Sequence, residues 1–567
     1  MRILFLCHSF NSLSQRLFVD LSERGHVVSV EFDINEAVTN EAVDMFQPSL
    51  IIAPFLKRAI PERVWRNHIC LVVHPGPVGD GGPSALDWAI LNNESEWGVT
   101  VIQATGDLDA GPIWATRRFP MRAATKSSLY RNEVSEAASQ AVLEAVERFE
   151  AGERQGRALD EFAGSKRIWR PGLRQADRAI DWLNDTSEQV IRKIRASDGM
   201  PGVLDTMFDE PVYLHDAHAA EGLSDKTPGA VLACRGPALA RATRDGAVWI
   251  GHVRRAEPLA IKLPASMVFE RQAEALPILA QQTDISYHES NGVGTLGFNF
   301  LNGAMGVSAC KRLEAAVRAA LARPIGVLVL AGGDDYWSNG LDLNRIEAAN
   351  SAADESWANI NAMDDLAEVI IRACGVHVIA AVGGNAGAGG VFLARAADEV
   401  WLRDGVILNP HYKDMGNLYG SEFWTYLLKH HAGEDNARRI TQARLPMGAR
   451  EAVAIGLADR VVSADRVAFN ASVQRDAARI ATDPGLSRRL DEKAARRRAD
   501  EAEKPLAMWR AEELARMRRN FYGFDPSYHV ARYNFVHKIP KSRTPLTLAR
   551  HRSQPNARQN LKWSAAS

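Results

Sequence analysis

Residues 69–113 read ICLVVHPGPVGDGGPSALDWAILNNESEWGVTVIQATGDLDAGPI. An apolar run leads into a loop broken by proline and glycine, which carries His74. A helical pattern, a second apolar run and a tight turn carrying Asp109 follow. That punctuation predicts strand, loop, helix, strand and turn. It sets an imidazole and a carboxylate at the ends of two apolar runs, where an open α/β sheet gathers its chemistry.

Working outward, residues 3–7, 27–30 and 49–54 read as strands. A helical pattern through Leu17, Leu21 and Arg24, closed by Gly25, separates the first two. Alternating strands and helices predict a parallel, doubly wound, Rossmann-like sheet over residues 1–164. From residue 165 to 264 the texture changes. A helix with Thr186 or Ser187 near its N-cap precedes short β-like pieces at 212–215, 229–234 and 247–253, the pattern of a small OB-like β-barrel. Residues 265–284 read as a linker. Strands at 295–300, 325–331 and 376–382 open another α/β unit, 285–468, followed by a helical, highly charged extension (469–540) and a polar tail (541–567). The expected class is thus α/β multidomain.

Composition narrows the function. The 567 residues carry a net charge of −1, so no general basic field exists to hold a nucleic acid or an anionic membrane. Five scattered cysteines without a C-x-x-C fit a reducing cytoplasm rather than a disulfide framework or thiolate metal site. MRILFLCHSF reads as a first strand, not a signal peptide, and no uninterrupted apolar stretch is long enough to span a bilayer. His215 and His218 (HDAH) have no further ligand nearby and read as incidental. The mixed-sign run at 488–504 reads as a solvated helix face. No metal is expected.

A histidine at a strand end beside a glycine-rich loop can shuttle a proton near neutral pH, and Asp109 can orient it or take a proton from a nucleophile. Equally, His74 could cap a loop and Asp109 start a turn. Two further glycine turns, WSNGLDL (337–343) and VGGNAGAGG (382–390), can present backbone N–H groups to a ligand. Singly each is explained by turn chemistry; as a pair after matching strands they suggest an oxyanion hole for a thioester carbonyl.

These motifs resemble two families. VVHPG (72–76), LDAGPI (108–113), AIDW (179–182) and IRA (194–196) make residues 1–256 similar to the formyltransferases and hydrolases that use 10-formyltetrahydrofolate. The resemblance implies that His74 and Asp109 assist formyl removal and proton handling. It places the pterin near Phe55, Leu56, Asp107 and Leu108, with Ser9, Asn11, Gln15 and Arg16 in the first ligand loop. Val72 replaces the family's asparagine, which argues against ordinary transfer to methionyl-tRNA or a ribonucleotide. Residues 290–470 resemble the crotonase (enoyl-CoA hydratase/isomerase) superfamily. There the resemblance implies oxyanion donors at Leu341 and Gly389 and a coenzyme A side near Asn302, Gly340, Arg345 and Gly390. Phe392 and His411 stand where hydratases carry their two glutamates, so hydration is not expected. His411 is then the expected proton carrier with Tyr419 as helper; Tyr412 and Glu422 are further polar groups in the cage.

The order of the two halves, with HPGPVGDGGP (74–83) and NPHYKDMGNLYGSEFW (409–424), resembles the HypX/HoxX-type family of nickel–iron hydrogenase maturation factors, although Gly81 replaces its usual arginine. It implies formyl transfer from 10-formyltetrahydrofolate to coenzyme A, then decarbonylation of formyl-CoA to carbon monoxide. The implied partners are small-molecule substrates and hydrogenase maturation proteins. The alternatives are a formyltetrahydrofolate hydrolase or amine formyltransferase with a CoA-sensing domain, and a scaffold that delivers carbon monoxide.

Overall fold

A computed structural model describes residues 1–279, 284–463 and 465–553. The chain divides into two units, Met1–Asp177 with Pro540–Ser567, and Arg178–Ile539.

The first unit is built on β1 (Arg2–Cys7), β2 (Val27–Phe32), β3 (Leu50–Phe55) and β4 (Cys70–His74), all parallel. Beyond the two-residue β5 (Asp80–Gly81) come β6 (Glu96–Gln103) and β7 (Ile113–Pro120), and the sheet order is β2-β1-β3-β4-β6-β7. β6 runs antiparallel to both β4 and β7, so the sheet is mixed rather than wholly parallel as expected. For β6 and β7 the reason is local: the short turn holding Asp109 can join only antiparallel neighbours, a parallel pair needing a long crossover. In β1 every residue after Arg2 is buried, the near-continuous apolar run of a sheet covered on both faces. Asn11 caps the helix Ser12–Glu23 by accepting from Ser14 N–H. β5 pairs in parallel with β8 (Ile168–Trp169), a strand invisible to periodicity because it is two residues long.

The tail predicted from residue 541 is in part built into this unit. Glu31, in β2 and fully buried, takes hydrogen bonds from Thr544 and Arg552 and lies 3.0 Å from His551 Nε2, while Ser29 Oγ meets His551 Nδ1 at 2.7 Å. Residues 554–567 lie outside the described residues.

In the second unit, β9 (Val203–Met207), β10 (Glu210–Ala219), β11 (Val231–Arg235), β12 (Ala238–Ala242) and β13 (Ala247–Arg255) form an antiparallel sheet in the order β11-β12-β13-β10-β9, with β14 (Leu263–Pro264) on β13. Its apolar face packs on the helix Ser187–Ala196 through Val190, Ile194, Leu214, Leu239 and Ile250. Thr186 closes a capping box with Gln189 at that helix start. β12, reading ALARA, escaped the sequence pattern because alanine carries a helical rather than a strand preference.

The α/β part has β15 (Ile285–Ser290), β16 (Val293–Phe298) and β17 (Val327–Ala331) in one sheet with β19 (His377–Val382), β21 (Glu399–Arg403) and β24 (Arg460–Val462). Between them, β18 (Tyr336–Ser338), β20 (Asn385–Gly387), β22 (Ile407–Asn409) and β23 (Met447–Gly448) make a second sheet. This repeated strand–strand–helix winding is the expected crotonase-like superhelix. Leu506, Met517, Phe521 and Tyr528 from the helices Leu506–Tyr522 and Ser527–Val536 join the main core, so the extension is core material here. The charged helix Leu486–Glu503 is likewise not solvated all round. Lys493 is buried and its ammonium donates to the carbonyls of Ala373 and Val376 and to Asp398.

Candidate active sites

His74 ends β4, and its imidazole is buried between two carboxylates. Nε2 lies 2.9 Å from Asp80 Oδ2 and Nδ1 lies 3.7 Å from Asp109 Oδ2. Asp80 is held in turn by Arg170, whose Nε is 2.5 Å from Oδ1 and whose guanidinium stacks 5.0 Å from the Trp97 ring. Gly82 N–H donates to Asp109 Oδ2 at 3.0 Å. With Nε2 committed to Asp80, Nδ1 is the nitrogen directed at Asp109. His74 and Asp109 thus come together as the sequence suggested.

Asp80 and Arg170 escaped the sequence reading. Arg170 arrives by the β5–β8 pairing, with its N–H donating to the Gly81 carbonyl at 2.7 Å. The loop glycines make this possible. A methyl at Gly76 would lie 2.5 Å from His74 Nε2 and 2.8 Å from Cδ2, so a side chain there would split the imidazole from Asp80. Asp109 itself has φ 52°, a left-handed conformation that aspartate tolerates better than most residues.

The residues expected at the folate side divide. Asn11 Nδ2 reaches the Tyr130 hydroxyl at 3.4 Å, and Tyr130 packs edge-on to Phe55 with centroids 6.4 Å apart. Burial raises the Tyr130 pKa, keeping its hydroxyl neutral. Ser9 lies in the loop before the helix Ser12–Glu23 and Gln15 in that helix's first turn; Ser14 Oγ meets the Ser9 carbonyl and Gln15 Nε2 donates to the Phe10 carbonyl at 2.9 Å. Arg16 instead pairs along its helix with Asp20 at 2.8 Å and reaches Glu136 at 3.4 Å. Leu56 packs on the small core cluster with Trp65. Asp107 and Leu108 are exposed, and the Leu108 carbonyl accepts from Arg167.

In the second unit the two glycine turns meet. Gly340 has φ 77°, and a methyl on it would stand 3.4 Å from Gly389 N. Gly389 is the first residue of the helix Gly389–Arg395, so its N–H lacks an intrahelical acceptor. Ala388 before it has φ 47°, a strained backbone for a residue with Cβ. Among the described residues no hydrogen bond engages the N–H of Leu341 or of Gly389. The turn is braced by Trp337 Nε1 donating to the Gly390 carbonyl at 2.9 Å and by Met305 N–H donating to the Gly340 carbonyl at 2.8 Å. Asn302 lies beside it in a left-handed turn, its carbonyl accepting from Asn339; Arg345 pairs with Asp342 at 3.4 Å.

The carboxyl facing this turn belongs to Glu422. A methyl on Gly389 would lie 2.5 Å from Glu422 Cδ and 2.9 Å from Oε2, and closer still to Oε1. Glu422 Oε2 meets the Tyr412 hydroxyl at 2.6 Å and accepts Ser421 N–H at 3.2 Å. Phe392, at the hydratase glutamate position, stacks on the Tyr412 ring with centroids 5.4 Å apart and fixes that phenol. Burial, followed by the charge of Asp364, pushes the Glu422 pKa up to about 8.

His411, the expected proton carrier, stands differently. Its Nδ1 is buried without a hydrogen-bond partner, and burial lowers its pKa. The charged neighbours acting on it are Asp414 and Arg444, not the glycine turns. Tyr419 packs on Trp424 at 5.3 Å and under Arg516 at 5.0 Å rather than on His411. In the sequence Glu422 stood only among the further polar groups of the cage, with no local signal that it faces Gly389. Consecutive left-handed residues, Glu422 (φ 59°) and Phe423 (φ 58°), turn it into the site. In the barrel module, His218 and His252 both pair with Asp216, at 2.8 and 3.0 Å, and the described residues contain no cluster suited to a metal ion.

Comparison with known proteins follows the same division. Models of three families match: formyl transferase over residues 28–146, the formyl transferase C-terminal domain over 172–265, and enoyl-CoA hydratase/isomerase over 313–514. The chain is 60% identical over 556 residues to the hydrogenase maturation factor HoxX of Bradyrhizobium diazoefficiens, covering 97% of each chain. It matches the crystal structure of HypX from Aquifex aeolicus in complex with tetrahydrofolic acid at 44% identity and TM-score 0.94, covering 97% of this chain and 99% of that one. Methionyl-tRNA formyltransferase of Marinobacter nauticus is 26% identical over 190 residues, 33% of this chain and 60% of that protein.

Proposed function

The chain belongs to the HypX/HoxX family of hydrogenase maturation factors, and on that premise we propose that it makes carbon monoxide from a folate-borne formyl group in two steps. The first is formyl transfer from 10-formyltetrahydrofolate to the thiol of coenzyme A. The tetrahydrofolate complex of the HypX relative and the formyl transferase match support folate as the donor. His74 Nδ1 and Asp109 handle the protons while Asp80 and Arg170 hold the imidazole. The thiol proton leaves, the new carbon–sulfur bond forms, and N10 of the folate takes a proton as its bond to the formyl carbon breaks.

The second step is decarbonylation of formyl-CoA. The Leu341 and Gly389 N–H groups polarise the thioester oxygen, as preorganised donors do in acyl chemistry. Ionised Glu422 removes the formyl proton, the carbon–sulfur bond breaks, and the proton passes to the departing sulfur. The products are carbon monoxide and coenzyme A, with no oxidant or reductant consumed. A base of raised proton affinity suits a weakly acidic C–H better than an ordinary carboxylate. The observation that carries this reading is the buried Glu422 carboxyl set directly against Gly389. Hydrogenase maturation proteins are the partners such a product implies, and the chemistry fits a cytoplasmic enzyme.

The test is a reaction of purified protein with 10-formyltetrahydrofolate and coenzyme A, with evolved gas trapped by deoxyhaemoglobin. Carbon monoxide equal to the tetrahydrofolate released supports the scheme. Tetrahydrofolate released with formate alone points to a hydrolase, and a formylated amine to an amine transferase. Capture of maturation proteins without turnover would leave a scaffold.

A further inference from the structure

Glu422 is one of three buried carboxyls gathered around the turn Gly420–Thr425. Asp364, in the helix Ala352–Ile371, accepts from Glu422 N–H at 2.8 Å and from Ser421 Oγ at 2.8 Å. Glu513, in the helix Leu506–Tyr522, accepts from Phe423 N–H at 3.0 Å, from Thr425 N–H at 2.8 Å and from Thr425 Oγ1 at 2.5 Å. Burial raises both, Asp364 to about 7 and, with the charges of Asp364 and Glu422 added, Glu513 to about 8; against this, each oxygen of both is occupied by a donor, which favours the anion. Glu422 is different. Oε2 takes Tyr412 and Ser421, whereas Oε1 faces Gly389 and meets no donor among the described residues.

Three carboxylates this close cannot all ionise near neutrality, and the proton settles on the oxygen least served by donors. That oxygen is Glu422 Oε1. Asp364 is also the acid with a cation at hand: Arg510 Nε lies 3.7 Å from Oδ2, the same guanidinium holding Asp365 at 2.7 Å and Glu368 at 3.3 Å. We propose that Asp364 is a positioning residue that both pins the Glu422 backbone and, as the anion, fixes the mobile proton of the cluster on Glu422 Oε1, against the oxyanion turn. This rests on the reading of Glu422 as the proton carrier and adds what sets its charge state. The groups facing Glu422 are Asp364 from the 352–371 helix, Glu513 from the 506–522 helix, Tyr412 from the loop after β22 and Cys310 from the helix Val307–Leu321. Tyr412 and Cys310 are both held neutral by burial, so Asp364 supplies the like charge that acts on Glu422.

The test is Asp364→Asn followed by infrared titration of the neutral-carboxyl stretch, with Glu422→Gln identifying the Glu422 band. Asparagine suits the site because Oδ1 still accepts Glu422 N–H, while Nδ2 can donate to Ser421 Oγ, a hydroxyl that also accepts. Ser421 Oγ then donates to Glu513 Oε2, already 3.2 Å away. In the unsubstituted protein the Glu422 band should be present at pH 7 and vanish on titration through about 8. In Asp364→Asn it should vanish lower, by about one pH unit or more, as removal of a neighbouring like charge requires. The rising limb of carbon monoxide formation should move down with it. An unshifted band in Asp364→Asn overturns the proposal, and so does a Glu422 band already absent at pH 7 in the unsubstituted protein, a result needing no Asp364 variant. The titration reads the proton without turnover, so failure to form carbon monoxide would refute the assigned reaction while leaving the positioning role standing or falling on the band.

Discussion

Replacing Gly389 by alanine tests the second site at its tightest point. The added methyl would stand 2.5 Å from Glu422 Cδ, against a comfortable carbon–carbon separation of about 3.5–4.0 Å, so the carboxyl must retreat by about 1 Å. It has little room to do so. Tyr412 and Ser421 N–H hold Oε2, the Tyr412 ring is wedged by Phe392, and Asp364 fixes the backbone of Glu422. Gly389 does not have positive φ, so alanine there introduces no backbone strain of its own. The protein should stay folded with the ordinary overpacking loss of about 1–3 kcal/mol. A displacement of 1 Å at a reacting group costs roughly 10²-fold in rate, about 2.7 kcal/mol on the barrier. Full loss of the base would extend that to about 10⁴-fold. The assay is single turnover with 10-formyltetrahydrofolate and coenzyme A, following tetrahydrofolate by absorbance and carbon monoxide by deoxyhaemoglobin. Carbon monoxide should fall at least about 10²-fold while tetrahydrofolate release persists. Carbon monoxide within a few-fold of the unsubstituted protein would refute the placement of Glu422.

Glu422→Gln should lower carbon monoxide formation by about 10²–10⁴-fold, whereas His411→Ala should retain it within a few-fold, as gas trapping on the two proteins will show. His74→Ala and Gly76→Ala should both block tetrahydrofolate release, the second because its methyl separates His74 from Asp80. Carbon monoxide formation should rise with pH through about 8, because the active form of Glu422 is the ionised one and burial has raised its pKa; a stopped-flow pH series measures this. Replacing His551 and Arg552 together by alanine removes two partners of buried Glu31 while keeping the segment that covers it, which should cost about 3–5 kcal/mol in denaturant melts at pH 7. Burial alone would raise the Glu31 pKa, but hydrogen bonds from His551 and Thr544 and the charge of Arg552 lower it overall. The stabilisation is therefore complete above the ordinary glutamate value and is lost as pH falls below it.

The fold was legible wherever a local pattern decides it. Apolar runs ending in polar loops or at proline and glycine marked β1 to β4, and a threonine or serine at the N-cap marked the helix start near Thr186. His74 and Asp109 were legible because each ends or begins such a run. Asp80 and Arg170 were not. They meet through a two-residue strand pair across some ninety positions, and no periodicity records that. The acid facing the second site was hidden for a related reason. His411 was expected where hydratases carry a glutamate, and two left-handed residues at 422 and 423 set a different acid against Gly389. Asp364 and Glu513, in helices far along the chain, were hidden because polar residues in a helix ordinarily read as its wet face.

The central claim is that one formyl carbon passes from folate to coenzyme A and leaves as carbon monoxide. The direct measurement uses 10-formyltetrahydrofolate labelled with carbon-13 in the formyl group, with coenzyme A, and mass analysis of the headspace gas and the solution. Labelled carbon monoxide should appear in step with tetrahydrofolate, depend on coenzyme A and be abolished by Glu422→Gln. Labelled formate as the sole product, with or without coenzyme A, would contradict the claim.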